Sequence, residues 1–371
     1  MKKTISLFLA LVMILALASG CAADPNGNAS SGNLQPSEDG NTADPGEDVP
    51  DDTQQPDTGD SEDGQDEPDG PDTQELTIRL GGLKGPTTIG MLKLLSDADA
   101  GTTANHYDYT LAASADELTP LLLKGELDVI AAPVNLGAVL YNNSDGAVQF
   151  AAINTLGVVY IVEKGGETVN SVADLKDKTI YATGKGSTPE YALRYLLTQN
   201  GLDPDTDVTI EWKSEPTEVV ALMNESENSV AMLPQPFVTV AQSQVEGLRI
   251  ALDLTQEWNA LDNGSLFITA GLIVRREFAE NYPDQFAAFL EEYKASTQYA
   301  NTNVEETAAL CESYDIVKAG VAKTAIPFCN ITYIDGDEMA EAVGAYLSIL
   351  YEQNPKAVGG TLPSEDFYYK P

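Results

Sequence analysis

Two stretches of this chain set glycines and a lysine where a strand-like pattern gives way to a helical one. The first is Leu80-Gly-Gly-Leu-Lys-Gly-Pro-Thr-Thr88 and the second is Gly184-Lys-Gly-Ser-Thr188. Turns of this kind leave the first N–H groups of a helix unpaired and directed at the space above the strand. The chemistry on offer is non-covalent: backbone donors, backed by Lys84 and Lys185, facing a negative or polar group. The first helix start, at Thr87-Thr88, carries no acidic residue to claim those donors. In the second, Glu190 is placed to reach back to Ser187 as a capping partner. An anionic group is therefore expected at Lys84 to Thr88.

Bond-making chemistry has little to stand on. Leu80 occupies the position of the first glycine in a dinucleotide fingerprint, and Gly186 follows Lys185 where a P-loop needs Ser or Thr. HExxH, nucleophile-elbow and EF-hand patterns are missing. The single histidine, His106, opens a strand and is expected to be partly exposed there. Neither a metal site nor a cofactor is expected. A formal charge of −38 excludes nucleic acid, which needs a basic face, and docking of the bare surface onto anionic lipid.

The elements that must position the turns follow from periodicity. Leu76, Ile78 and Leu80 alternate with Thr77 and Arg79, as in a strand; Gly81, Gly82 and Gly85 break it. Ile89, Met91, Leu92, Leu94 and Leu95 then return at helical spacing from Thr87. Residues 106–113, 127–132 and 148–153 read as further strands. Ser114 and Glu117 form a capping box before a helix to Lys124, and Pro133 to Asn135 turn into another helix. Alternating strands and helices predict a parallel sheet with helices on both faces. The pattern repeats beyond Gly157, with strands at 178–183, 208–212, 230–233 and 248–252. After an apolar run at 265–274, helical periodicity dominates at 285–299, 304–311 and 339–351. The expected fold class is α/β, with two lobes: 75–156 plus 265–371, and 157–264. The helical C-terminal tail is expected to pack back across the first lobe.

The amino terminus reads separately. Lys2 and Lys3, an apolar run from Ile5 to Leu17, and Ala18-Ser-Gly-Cys21 resemble a bacterial lipoprotein signal, in which the cysteine is lipidated after cleavage. Ala18 stands where that signal usually has Leu. From 22 to 74 the chain carries sixteen acidic residues and no Lys or Arg, amid Gly, Pro, Ser and Thr. Such a composition predicts an extended, disordered tether. Outside the membrane, Cys311 and Cys329 are permitted to form a disulfide, worth about 3 kcal/mol for a loop of this size. Two buried free thiols are the alternative.

Taken together, several stretches resemble one family. They are the lipoprotein signal, the opening strand–turn–helix, Lys124-Gly-Glu-Leu-Asp-Val-Ile-Ala-Ala-Pro133, Ser171-Val-Ala-Asp-Leu-Lys-Asp-Lys178, and Arg275-Arg-Glu-Phe-Ala-Glu-Asn-Tyr-Pro283. The chain is similar in these to the solute-binding lipoproteins of ABC importers, in the nitrate, sulfonate, taurine and thiamine-pyrimidine (NMT1/SsuA-like) group. The resemblance implies a type II periplasmic-binding-protein fold, two lobes closing over a small molecule for delivery to an ABC permease. It implies a monomer held by lipid on the outer face of the cytoplasmic membrane. By position, the ligand-facing residues would be Lys84, Gly85, Pro86, Thr87, Thr88, Ser114, Asn135, Asn154, Thr155, Lys185, Gly186, Ser187, Thr188, Gln235 and Phe237. The ligand is expected to be anionic, or heteroaromatic and stacked on Phe237 or a tyrosine. A ligand sensor for a signalling partner is the competing role. An enzyme of the pyrimidine-synthase or menaquinone-precursor kind is a weaker one, because the cysteine-rich motif of the pyrimidine synthases is missing.

Overall fold

The computed structural model describes residues 76–370. Cys21, the signal segment and the acidic stretch at 22–74 lie outside the described residues. Eleven strands are described: β1 Thr77–Leu83, β2 His106–Ala112, β3 Val129–Pro133, β4 Val148–Leu156, β5 Val159–Lys164, β6 Thr179–Ala182, β7 Thr209–Trp212, β8 Ser229–Pro234, β9 Leu248–Asp253, β10 Ile268–Arg275 and β11 Ile331–Asp335. They form two sheets, ordered β11-β4-β10-β3-β1-β2 and β7-β6-β8-β5-β9. All strands of the second sheet fall between those of the first in sequence.

The sheets are mixed, not parallel throughout as the alternation suggested. β1 runs parallel to β2 and β3, while β10 is antiparallel to both β3 and β4. In the second sheet β6 runs parallel to β7 and β8, and β5 is antiparallel to β8 and β9. The reason lies in the route of the chain. It leaves the first sheet at the end of β4 and returns beside that end, with Ile268 opposite Leu156. A strand that comes back where its neighbour left must run the other way.

The opening unit also differs from expectation. Gly81 and Gly82 do not end β1; they lie inside it. A Cβ on Gly81 would stand 2.9 Å from Ile130 Cγ2 and from Leu127 Cδ1, and one on Gly82 would stand 2.5 Å from Thr88 Oγ1. These glycines permit close approach within a strand. The helix expected from Thr87 through Leu95 is two pieces, Pro86–Ile89 and Leu92–Asp99. The Ser296 hydroxyl stands between them: it donates to the Gly90 carbonyl at 2.7 Å and accepts from the Leu94 N–H at 3.0 Å. A side chain thus replaces one i→i+4 helix bond.

Burial on both faces of the first sheet explains its apolar strands. Ile78, Leu80, Val129, Ala131, Leu272 and Val274 pack with Phe286, Phe289 and Tyr293 of the helix Pro283–Thr302. Ile130, Ala132, Ile153 and Ile273 face the opposite cluster, with Leu118, Ala138 and Val343. Helices Val304–Ser313 and Gly336–Gln353 lie near the expected positions, and β11 with helix Ala319–Ala325 was not foreseen. Cys311 and Cys329 are both buried free thiols, so the expected disulfide is not formed. Burial in this apolar cluster pushes the Cys311 thiol up to about 12 and the Cys329 thiol further. His106 is exposed at the first position of β2, as expected.

Candidate functional site

Topology sets the residues of interest at strand ends. The parallel strands β1, β2 and β3 end on one edge of the first sheet, joined there by β4; β6, β7 and β8 end on one edge of the second. In open α/β sheets that edge is where ligands bind.

At the first turn, the Lys84 N–H donates to the Ala112 carbonyl at 2.8 Å, holding the end of β1 to β2. Gly85 is fully extended and Pro86 to Ile89 are buried. The Thr88 hydroxyl donates to the Leu83 carbonyl at 2.6 Å, and the Thr88 N–H to the Gly85 carbonyl at 3.2 Å. The Thr87 hydroxyl is buried with no partner among the described residues. The Lys84 ammonium lies 3.0 Å from the Asp315 carboxylate, whose side chain is 93% exposed. That hydrogen bond, with the charge of Lys84, holds the Asp315 carboxyl below its ordinary range.

Asn154 and Thr155 support this turn from behind. Asn154 Nδ2 donates to the Thr87 carbonyl at 3.0 Å and to the Tyr293 hydroxyl at 2.9 Å, while its Oδ1 accepts from the Thr155 hydroxyl at 2.9 Å. All three polar residues are buried. Tyr293 was invisible from sequence, because Phe286, Phe289 and Tyr293 read as one apolar stripe on a helix. Its phenol is pushed up by burial.

The second turn is closed on itself. Gly184 and Gly186 adopt left-handed backbone, with φ of 82° and 76°. The Ser187 hydroxyl donates to the Gly184 carbonyl at 2.8 Å. Glu190 does reach back, but one residue beyond Ser187: it accepts from the Gly186 N–H at 2.7 Å and, on its other oxygen, from Arg194 Nε at 2.9 Å. Lys185 is exposed and has no ion-pair partner among the described residues.

Asn135 reaches the second turn from the end of β3. It follows the end of β3 and is 1% exposed. Its Nδ2 donates to the Gly186 carbonyl at 3.3 Å and the Ala357 carbonyl at 3.1 Å, and its Oδ1 accepts from the Thr188 hydroxyl at 3.2 Å. Gln235 is buried, accepting from the Thr239 hydroxyl at 2.9 Å, and Phe237 is half-buried at the start of helix Phe237–Gln244. Ser114 is exposed, its N–H donating to Glu117 at 3.1 Å. So the structure brings Asn135 to Gly186 and Thr188, and Thr87 to Asn154 and Thr155. Among the described residues no hydrogen bond ties Ser114, Gln235 or Phe237 to either turn. The groups gathered here are hydroxyls, amides and lysines, suited to holding a ligand by hydrogen bonds. Among the described residues no cluster of three or more His, Cys, Asp or Glu could hold a metal ion.

Comparison with known proteins fits this geometry. A model of the NMT1-like family matches residues 97–314, more than half the chain. No curated protein sequence matches. Among solved structures, an ABC transporter protein from Parabacteroides distasonis is similar at 27% identity and TM-score 0.66, over 79% of this chain and 99% of that one. The periplasmic aliphatic sulphonate-binding protein SsuA of Escherichia coli is similar in fold at 18% identity and TM-score 0.64, over 80% of this chain and 92% of its own. The ligand-binding component of an ABC-type import system from Staphylococcus aureus, with zinc bound, has 16% identity and TM-score 0.62, over 79% and 96% respectively.

Proposed function

The chain belongs to the NMT1-like family, and from that premise we propose that it is an extracytoplasmic solute-binding protein that captures a small molecule between two lobes and delivers it to an ABC importer. The observation that carries the reading is the meeting, at Asn135, of the carboxyl edge of one sheet with the glycine turn of the other. The lobes we propose are those of the two sheets, with the solute held near their facing strand ends. The binding protein acts as a monomer and without chemical turnover. Its anchor is Cys21, lipidated on the outer face of the cytoplasmic membrane, and the acidic stretch at 22–74 is the tether.

For the solute, the first turn favours an anionic group. An exposed pair such as Lys84 with Asp315 is worth only about 0–1 kcal/mol, so an anion held by Lys84 and by the buried, unpartnered Thr87 hydroxyl displaces it; the four-residue helix, opening on Pro86 with its Thr88 N–H already bonded, adds little. Asp315 would then swing into solvent. The heteroaromatic alternative rests on the half-buried ring of Phe237. Native mass spectrometry of the purified protein tests the function: a co-purified small molecule is expected, and a chain that retains none and binds none from a panel of sulfonates, nitrate and pyrimidines would sink the reading. With the solute in hand, Lys84→Ala should weaken binding at least tenfold, about 1.4 kcal/mol. Unchanged affinity would transfer the site to Phe237.

A further inference from the structure

We infer that Thr269, near the start of β10, is a specificity-determining residue that receives an uncharged hydrogen-bonding group of the solute. The solute is then an organic anion with a second polar group, not a bare inorganic anion. The inference rests on the solute-binding reading above and names the class of solute for that site. Thr269 is 6% exposed, and its hydroxyl is buried with no partner among the described residues. A hydroxyl left so costs free energy that a methyl group of the same shape would not, and it calls for something to meet it.

The sheet shows where that hydroxyl stands. Ala270 pairs with Thr155 of β4 and with Pro133, the last residue of β3. Ile268 faces Leu156 and Gly271 faces Ile153, so Thr269 has no opposite on β4 and Asn154 has none on β10. The two flank one rung of the ladder. Irregularities of this kind re-aim side chains and gather beside binding sites. Asn154 donates to the Thr87 carbonyl at 3.0 Å, and the Thr87 hydroxyl is likewise buried and unpartnered. Asn154 thus joins the surroundings of two unmet hydroxyls on the binding edge of the first sheet.

Charge separates their roles. Among the described residues the buried charged groups are Asp128, Glu163 and Glu190. Asp128 precedes β3 at its far end, Glu163 lies opposite Val230 near the start of β8, and Glu190 is committed to Gly186 and Arg194. A charged group brought to Thr269 would therefore be buried without a counter-ion, whereas a hydroxyl, amide or carbonyl would be met. The anionic group is left to Lys84 and Thr87.

Calorimetric titration of the full chain with isethionate, and with ethanesulfonate, which lacks the terminal hydroxyl, tests this. The native chain should prefer isethionate by about tenfold or more. Thr269→Val should bring the two within about twofold by weakening isethionate, and Thr269→Ser should keep the preference. With no sulfonate present, Thr269→Val should melt no lower than the native chain, since no bond within the protein is lost. A valine variant that keeps the preference overturns the inference. So does one that loses both sulfonates equally, which marks a change of shape, or one that melts lower, which marks a hydroxyl already met by protein or water. If neither sulfonate binds the native chain, the inference falls, and the binding function is still decided by the native mass spectrum and the other solutes of the panel.

Discussion

Asp128→Asn isolates the cost of a buried charge far from the binding edge. The Asp128 carboxylate is 2% exposed and precedes β3. It accepts from the Arg79 N–H at 2.9 Å, from Arg79 Nε at 2.9 Å, and from the two terminal guanidinium nitrogens of Arg79 and Arg275 at 2.6 and 3.1 Å. It therefore ties the start of β1 and the end of β10 to the start of β3. Asparagine keeps the shape but removes the charge and turns an amide N–H toward a guanidinium. Breaking a buried pair costs about 3–5 kcal/mol. The Arg79 side chain is 38% exposed and that of Arg275 is 19% exposed, so both cations regain some water and the lower figure applies. At roughly 2 °C per kcal/mol for a domain of this size, the melting temperature should fall by about 6 °C. Calorimetry measures the loss, and solute affinity should be unchanged, because this end of the strands is opposite the proposed site. A fall of less than about 2 °C would refute the reasoning and show that the arginines are as well served by water.

Three other outcomes follow from the structure. Ser296→Ala strands the Gly90 carbonyl and the Leu94 N–H away from other partners and should cost about 1–3 kcal/mol, read by urea titration; a neutral result would mean the helix closes over the gap. Cys311 and Cys329 should resist thiol reagents in the folded protein and both react on unfolding without reductant, as alkylated mass would record; protection that needs reductant to lift would restore the disulfide. Burial pushes the Glu163 carboxyl up, but bonds from Thr168, Arg249 and Val169 outweigh it and leave it below its ordinary 4.5. Its contribution is thus full above that value and lost as pH falls through the lowered one. Glu163→Gln should therefore lower stability at pH 7 and shrink the native chain's advantage toward pH 3; an equal gap at both values would contradict this.

What the sequence disclosed was local. Glycine, proline and capping residues punctuate the chain within a few positions of where they act, so the helix starts at Ser114 and Ser187 were legible, as were two α/β units, and the start expected at Thr87 lies one residue earlier, at Pro86. What it concealed depends on distant partners. Gly81 and Gly82 looked like a break because the side chains that crowd them, Ile130 and Thr88, are brought close only by folding. Ser296 enters a helix 206 residues away, and Lys84 finds Asp315 across 231. The direction of β10 was hidden because periodicity reports which face of a strand is buried, not which way it runs. Asn135 and Asn154 were expected to face a ligand, whereas in the structure their amides are engaged by the protein itself.

The return of the chain beside its point of departure makes the second sheet a cassette. Ile268 faces Leu156 in the first sheet, and Tyr160 faces Asp253 in the second. Removing everything between Leu156 and Ile268 would leave β4 and β10 as neighbours needing only a hairpin loop. The β4–β10 ladder is closed by the first sheet's own residues, while the intervening segment shares an apolar cluster with that sheet's helices through Trp258, Phe267 and Tyr346, which a replacement must also fill. A lineage built this way can exchange or remodel one wall of the proposed cleft as a block while the other wall, with its buried arginine–aspartate tie and its supported first turn, stays fixed. Grafting the corresponding segment from the Parabacteroides relative between Leu156 and Ile268 should give a folded chimera whose solute preference changes without loss of the host sheet.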